Sequence, residues 1–176
     1  MITGDEAFDT IAASLDPAMV VVTSVHEGER AGCLVGFHAQ SSISPRRYCV
    51  WLSKANHTGR IVRHASVLAV HHLAAGQRDL AELFGTLSGD DVDKLDRCGW
   101  EPGPEGVPLL TDVPRRIVCR TVAILDEGGD HLCVVTEPIQ AEADGPFTPL
   151  RLSAVDDLTP GHDAEERPTP PTERAD

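Results

Sequence analysis

Met19-Val20-Val21-Val22-Thr23-Ser24 is the stretch on which the fold turns. Its three consecutive valines show no apolar–polar alternation, so both faces of the segment need cover, and β-branched side chains favour extended backbone. It reads as a strand buried on both sides. A polar connection, His26-Glu27-Gly28-Glu29-Arg30, turns the chain back into a second apolar strand over 31–37. Gly32 and Gly36 weaken that strand intrinsically and mark a bend or a close approach.

Working outward, Ser44-Pro45-Arg46-Arg47 is a turn and 48–52 a third strand. Asn56-His57-Thr58-Gly59 leads into a short helix over 60–64, capped by Asn56 or Thr58. A strand follows over 66–73, then a helix over 77–84 with Leu80, Leu83 and Phe84 on one side. Another short helix spans 6–14. Segments 116–125 and 131–137 are strands joined by Asp126-Glu127-Gly128-Gly129-Asp130, the clearest hairpin signal in the chain. Residues 138–143 continue the second of them past an edge or bulge, because Pro138 cannot donate to a ladder. Between 86 and 108 the pattern is mixed, with a helical turn at 90–95 and a loop at 101–106; 150–152 reads as a last short strand. The expectation is a mainly β domain over 1–160, a closed barrel with a few short helices. A disordered acidic, Pro-rich tail is expected over 161–176. No G-x-G-x-x-G follows the first strand, which excludes a doubly wound dinucleotide fold.

The chain has 176 residues with 41% hydrophobic content, enough for one core. Fifteen basic against 28 acidic residues give a formal charge of −13, which repels a phosphate backbone, and aromatic residues are only 4%. Nucleic acid is therefore not an expected partner. A small phosphorylated ligand is still allowed, since a few local cations outweigh distant charge. No stretch is apolar for long enough to cross a bilayer, and the N-terminus lacks the pattern of a signal peptide. Cys33, Cys49, Cys98, Cys119 and Cys133 are odd in number and scattered, like the reduced thiols of a cytoplasmic protein.

Two clusters carry chemistry. Gly36-Phe37-His38-Ala39-Gln40-Ser41-Ser42-Ile43-Ser44 places hydroxyl and amide groups directly after an apolar strand, able to meet a flat polar heterocycle or simply to solvate a strand end. Lys54-Ala55-Asn56-His57-Thr58-Gly59-Arg60 gathers amide, hydroxyl and cationic groups at a helix start, suited to a phosphate or to ordinary capping. His71-His72 closes a strand, and Gly129-Asp130-His131 sits at a turn. No G-x-S-x-G elbow supports a serine hydrolase.

Taken in order, these segments resemble the single-domain flavin reductases of the FMN-binding split-barrel group. The resemblance runs from 18 to 158. It includes the 19–24 strand, Gly32-Cys33-Leu34-Val35-Gly36-Phe37, Ser42-Ile43-Ser44-Pro45-Arg46, Lys54 to Thr58, Gln77-Arg78-Asp79-Leu80-Ala81, Gly99-Trp100, Gly106-Val107-Pro108 and Gly129-Asp130-His131. It implies a Greek-key split β-barrel and a homodimer holding FMN, with FAD as a variant. It also implies re-reduction by NADH or NADPH, and reduced flavin passed on to a monooxygenase. Thr23, Gln40, Ser41 and Ser42 would hold the ring and ribityl chain. Asn56, His57 and Thr58 would lie by the phosphate, with Lys54 or Arg60 supplying charge, and His131 would face the reaction pocket. The chain departs from the family where Gly36 and Phe37 stand for two serines, His38 for a phenylalanine and Arg46 for a proline. Those departures leave open reduction of an organic substrate by flavin or deazaflavin, or a non-catalytic flavin- or haem-binding module.

Overall fold

The computed structural model describes residues 1–161. Strand β1, Val20–His26, is fully buried along its first five residues. Val20 and Val22 enter one apolar core with Cys33, Val35, Val50, Leu52 and Val134. Val21 points the other way, into a second core with Met19, Leu73, Phe84, Leu110 and Leu150. Two cores, one on each face, are the reason this strand tolerates no polar alternation. Glu27 and Gly28, both at positive φ (49° and 84°), return the chain into β2, Glu29–Val35. A two-residue loop with both residues left-handed matches the right-handed twist of the flanking strands.

The remaining long strands are β3 (His38–Ser42), β4 (Arg47–Ser53), β5 (Val67–His72), β8 (Arg116–Leu125) and β9 (His131–Glu142). They join β1 and β2 in one antiparallel seven-stranded sheet of order β2-β1-β5-β8-β9-β4-β3. Consecutive strands β2 and β3 therefore lie on opposite edges, and the chain crosses between them at Gly36-Phe37. Cys33 and Val35 of β2 nevertheless share a core with Val50 and Leu52 of β4, so the sheet curls on itself and stays split at that crossing. The mainly β split barrel expected from the sequence is the fold observed. β6 (Trp100–Pro102) and β7 (Pro108–Leu110) form a separate pair within the segment read as mixed and loop.

Among the described residues the α-helices are α1 (Asp5–Ser14), which has no buried residue, and α2 (His57–Val62) and α3 (Arg78–Thr86), which pack on the sheet. α3 presses Phe84 onto β2, where a Cβ built on Gly32 would stand 2.6 Å from the Phe84 ring. Gly32 thus permits the approach of a helix. α2 starts three residues earlier than read, with Asn56 as its cap accepting from the Thr58 N–H at 3.0 Å. The helical turn read at 90–95 is a 3₁₀ turn, Lys94–Arg97, capped by Asp93. Pro138 pairs with Cys119 while Gln140 pairs with Val118, so Ile139 is the extra residue of a bulge. The short strand read at 150–152 is instead two isolated bridges, Ala74–Pro149 and Ala18–Arg151, followed by a 3₁₀ turn, Leu152–Ala154. Apart from Gly161, the acidic tail read over 161–176 lies outside the described residues.

Candidate functional site

A cavity of about 480 Å³ opens where the chain leaves β2 and crosses to β3. Leu34, Gly36 and Phe37 form one wall, Trp51 and Ser53 of β4 a second, and Phe84 and Gly85 of α3 a third. Leu158 and Pro160 of the C-terminal segment close it from above. That segment is pinned by Arg78, whose Nη2 donates to both Asp157 carboxylate oxygens, and by Gly161 N–H donating to the Gly85 carbonyl at 3.2 Å.

Polar groups enter this apolar space at one end. The β4–β9 register sets Ser53 opposite His131, and Lys54 N–H continues the ladder to the Asp130 carbonyl at 2.9 Å. A tight turn then brings the Asn56 N–H to the Ser53 carbonyl at 3.1 Å. The Asn56 side-chain oxygen is used as the cap of α2, which leaves its amide hydrogens to serve the cavity. α2 can dock this close because residue 59 is glycine: a Cβ there would lie 2.5 Å from the Ser53 carbonyl oxygen.

His131 bonds through Nδ1 to the Asp130 carboxylate at 2.7 Å. A carboxylate only accepts, so Nδ1 carries the hydrogen and Nε2 is the atom left to meet a ligand. The same bond is the main reason the Asp130 carboxyl lies below its ordinary range. The Phe37 ring stands edge-on to His131, with centroids 5.3 Å apart and planes at 64°.

Of the ten residues named from the sequence, Asn56 and His131 line this cavity and eight do not. Thr23 is fully buried in β1 and donates to the Pro108 carbonyl at 2.6 Å. Gln40 and Ser41 lie exposed on edge strand β3, with Ser42 half-buried beside them; Gln40 donates to the Ser42 carbonyl and Ser41 accepts from the Cys49 thiol. Thr58 is buried in α2. His57 bonds Glu29 at 2.7 Å and faces a smaller neighbouring cavity of about 320 Å³. Lys54 pairs with Asp126 at 2.6 Å, and Arg60 with Asp90 and the Ala55 carbonyl. An incoming phosphate at either cation would compete with a carboxylate already in place. Sequence reasoning did not single out Ser53, Trp51 or the 158–160 segment. Trp51 had a usable signal, as one of only two tryptophans; the C-terminal wall had none, because it reaches the cavity only through tertiary packing.

A mostly apolar cavity within the usual 300–1,000 Å³ range, with a few polar groups at one end, fits a planar heterocycle bearing a polar chain. Comparison with known proteins agrees with that geometry. The model of the flavin reductase like domain matches residues 13–152. This chain belongs to that family. Its relatives include SmoA of Agrobacterium fabrum, an NADH-dependent FMN reductase, 30% identical over 135 residues that make up 77% of this chain and 75% of SmoA. The reductase component of a flavin-dependent trigonelline monooxygenase from Acinetobacter baylyi is 25% identical over 130 residues, 74% of this chain and 41% of that longer one. The crystal structure of a flavin reductase domain protein from an Arthrobacter species superposes with a TM-score of 0.73. At 20% identity, over 83% of this chain and 89% of its own, it shows the shared fold. In this flavin reductase-like chain the Gly129-Asp130-His131 turn and the Asn56 cap flank the same cavity from β9 and α2.

Proposed function

We propose that this flavin reductase-like chain is an NAD(P)H:flavin oxidoreductase that holds FMN, with FAD as the variant, in the cavity between β2, β4 and α3. The observation that carries the reading is the meeting of Asn56 and His131 at the polar end of an otherwise apolar space. When bound, the flavin supplies a ring that accepts a hydride from the reduced nicotinamide. The chain's own contribution is positioning and exclusion of water. Leu34, Trp51 and Phe84 would supply apolar walls for a flat ring, Asn56 would offer its amide hydrogens to polar groups, and His131 would present Nε2 as a hydrogen-bonding guide. A direct hydride transfer between two rings would require no side chain to act as acid or base.

The functional unit is proposed to be a homodimer. Ile43, Val122 and Leu125 are exposed apolar side chains away from the cavity lining, and a partner subunit would cover such surface. Similarity to a monooxygenase reductase component supports delivery of reduced flavin to a separate oxygenase. Gly36 and Phe37, which lack hydroxyls, favour one second reading, flavin-dependent reduction of an organic substrate. Anaerobic mixing of the protein with NADH or NADPH, with and without FMN, FAD and riboflavin, tests these readings. Expected are about one flavin per chain, bleaching by a nicotinamide nucleotide, and faster NAD(P)H oxidation when free FMN is added. Stimulation only by an organic acceptor selects the second reading. A protein that binds no flavin overturns both.

A further inference from the structure

Phe37 is 60% exposed, and among the described residues no other large, exposed apolar side chain lines the main cavity. It is not a loose surface ring. Its carbonyl accepts from Trp51 N–H at 2.9 Å, which ties the crossing between β2 and β3 to β4. Its ring rests edge-on against His131, itself tied to Asp130. The interior of the cavity is walled by buried Met19, Cys33, Leu52 and Phe84. Two rings that exchange a hydride must lie face to face at near contact. A resident ring would take the buried interior, and a ring that comes and goes would approach from the exposed side, where Phe37 stands beside His131.

Resting on the flavin reading above, we infer that Phe37 is the stacking wall for the nicotinamide ring of the electron donor and that it favours the oxidised, cationic form. An aromatic face carries negative potential and attracts a cation placed over it. NAD⁺ is a pyridinium cation, whereas the nicotinamide of NADH is a neutral ring. Phe37 therefore acts as a specificity-determining residue for the redox state of the nucleotide as well as its position.

The test is binding of NAD⁺ and of the neutral, hydride-inert 1,4,5,6-tetrahydro analogue of NADH to FMN-loaded protein by calorimetry, with FMN binding to the apoprotein followed through flavin fluorescence. Phe37→Ala is expected to weaken NAD⁺ about fivefold or more and the NADH analogue about twofold, in line with a desolvated cation–π contact. FMN affinity should change less than twofold. Phe37→Trp should restore the NAD⁺ affinity, and Phe37→Leu should keep the apolar cover while losing the preference for NAD⁺. Because Phe37 is mostly exposed, these variants are expected to fold. Loss of FMN and NAD⁺ affinity in equal measure, or no change in either nucleotide, overturns the inference while the flavin reading stands. A wild-type protein that takes up no FMN removes both.

Discussion

His131 is one of eight histidines, and the Gly129-Asp130-His131 turn is the local signal that marks it. Its place opposite Ser53 and its bond to Asp130 distinguish it. Substituting Asp130→Asn frees the ring to adopt either tautomer, since an amide can donate as well as accept. We expect KM for the nicotinamide donor to rise about three- to tenfold, the scale of one hydrogen bond. The change in kcat should be smaller, and His131→Ala should reproduce most of the effect; steady-state kinetics on both variants checks this. The short polar residues named from the sequence show the opposite lesson. Gln40, Ser41 and Thr23 have the right chemistry for a ligand, but Gln40 and Ser41 sit on an edge strand outside the cavity and Thr23 satisfies a backbone carbonyl. Residue type gives the capacity for a bond; the direction of the side chain decides its use.

The elements that matter are those brought close by missing side chains. Gly59→Ala would force α2 away from the end of β4, because the added methyl meets a backbone carbonyl that cannot rotate away. Overpacking of this kind costs roughly 1–3 kcal/mol, and it displaces Asn56 as well. The expected result is a lower urea midpoint together with at least severalfold weaker FMN binding, read by denaturation and flavin titration. Gly32→Ala meets the buried Phe84 ring and should cost a similar amount of stability. It should also displace the α3 wall of the cavity. Strand positions were legible because β-branched runs and the 126–130 hairpin are local signals. The break at Gly36-Phe37 was not, because an apolar run reads as one strand whether or not the chain changes edges midway.

For the whole molecule, acid is the condition to which the fold is most exposed. His71 is fully buried, donating from Nδ1 to the Val21 carbonyl at 3.2 Å and accepting the Leu110 N–H at 3.1 Å on Nε2. Burial, followed by the nearby Arg116 and His72 charges, takes its pKa down to about 3 despite the carbonyl bond. His72 is lowered to about 4, by burial first and then by His38 and Arg115. Both shifts favour the neutral ring in the folded state. Well above pH 6.5 neither ring is protonated in either state and full stability is present. Below it the unfolded chain takes up protons that the folded chain refuses, down to about pH 4 for His72 and about 3 for His71. Stability should fall by up to about 1.4 kcal/mol per pH unit for each ring. Urea unfolding at pH 7 and pH 5 should therefore show a marked loss, and His72→Asn should make the slope shallower. A slope that is flat in the wild type would contradict the burial of these rings. At this scale the proposed dimer is checked by light scattering: the wild-type chain should run as a dimer, and Leu125→Glu on the exposed β8 surface should shift it toward monomer.

Sequence alone determined six of the seven long strands, the two-faced burial of the valine run and the position of the His131 turn, and narrowed the α2 cap to Asn56 or Thr58. Each of these follows from propensity, periodicity or turn chemistry acting within a few residues. Tertiary structure decided which polar residues share a cavity, that Lys54 and Arg60 carry carboxylate partners, and that the 158–160 segment roofs the site. Those facts depend on contacts between residues tens of positions apart. Curling of the sheet sets them, and a linear pattern carries no record of which edge each strand will occupy.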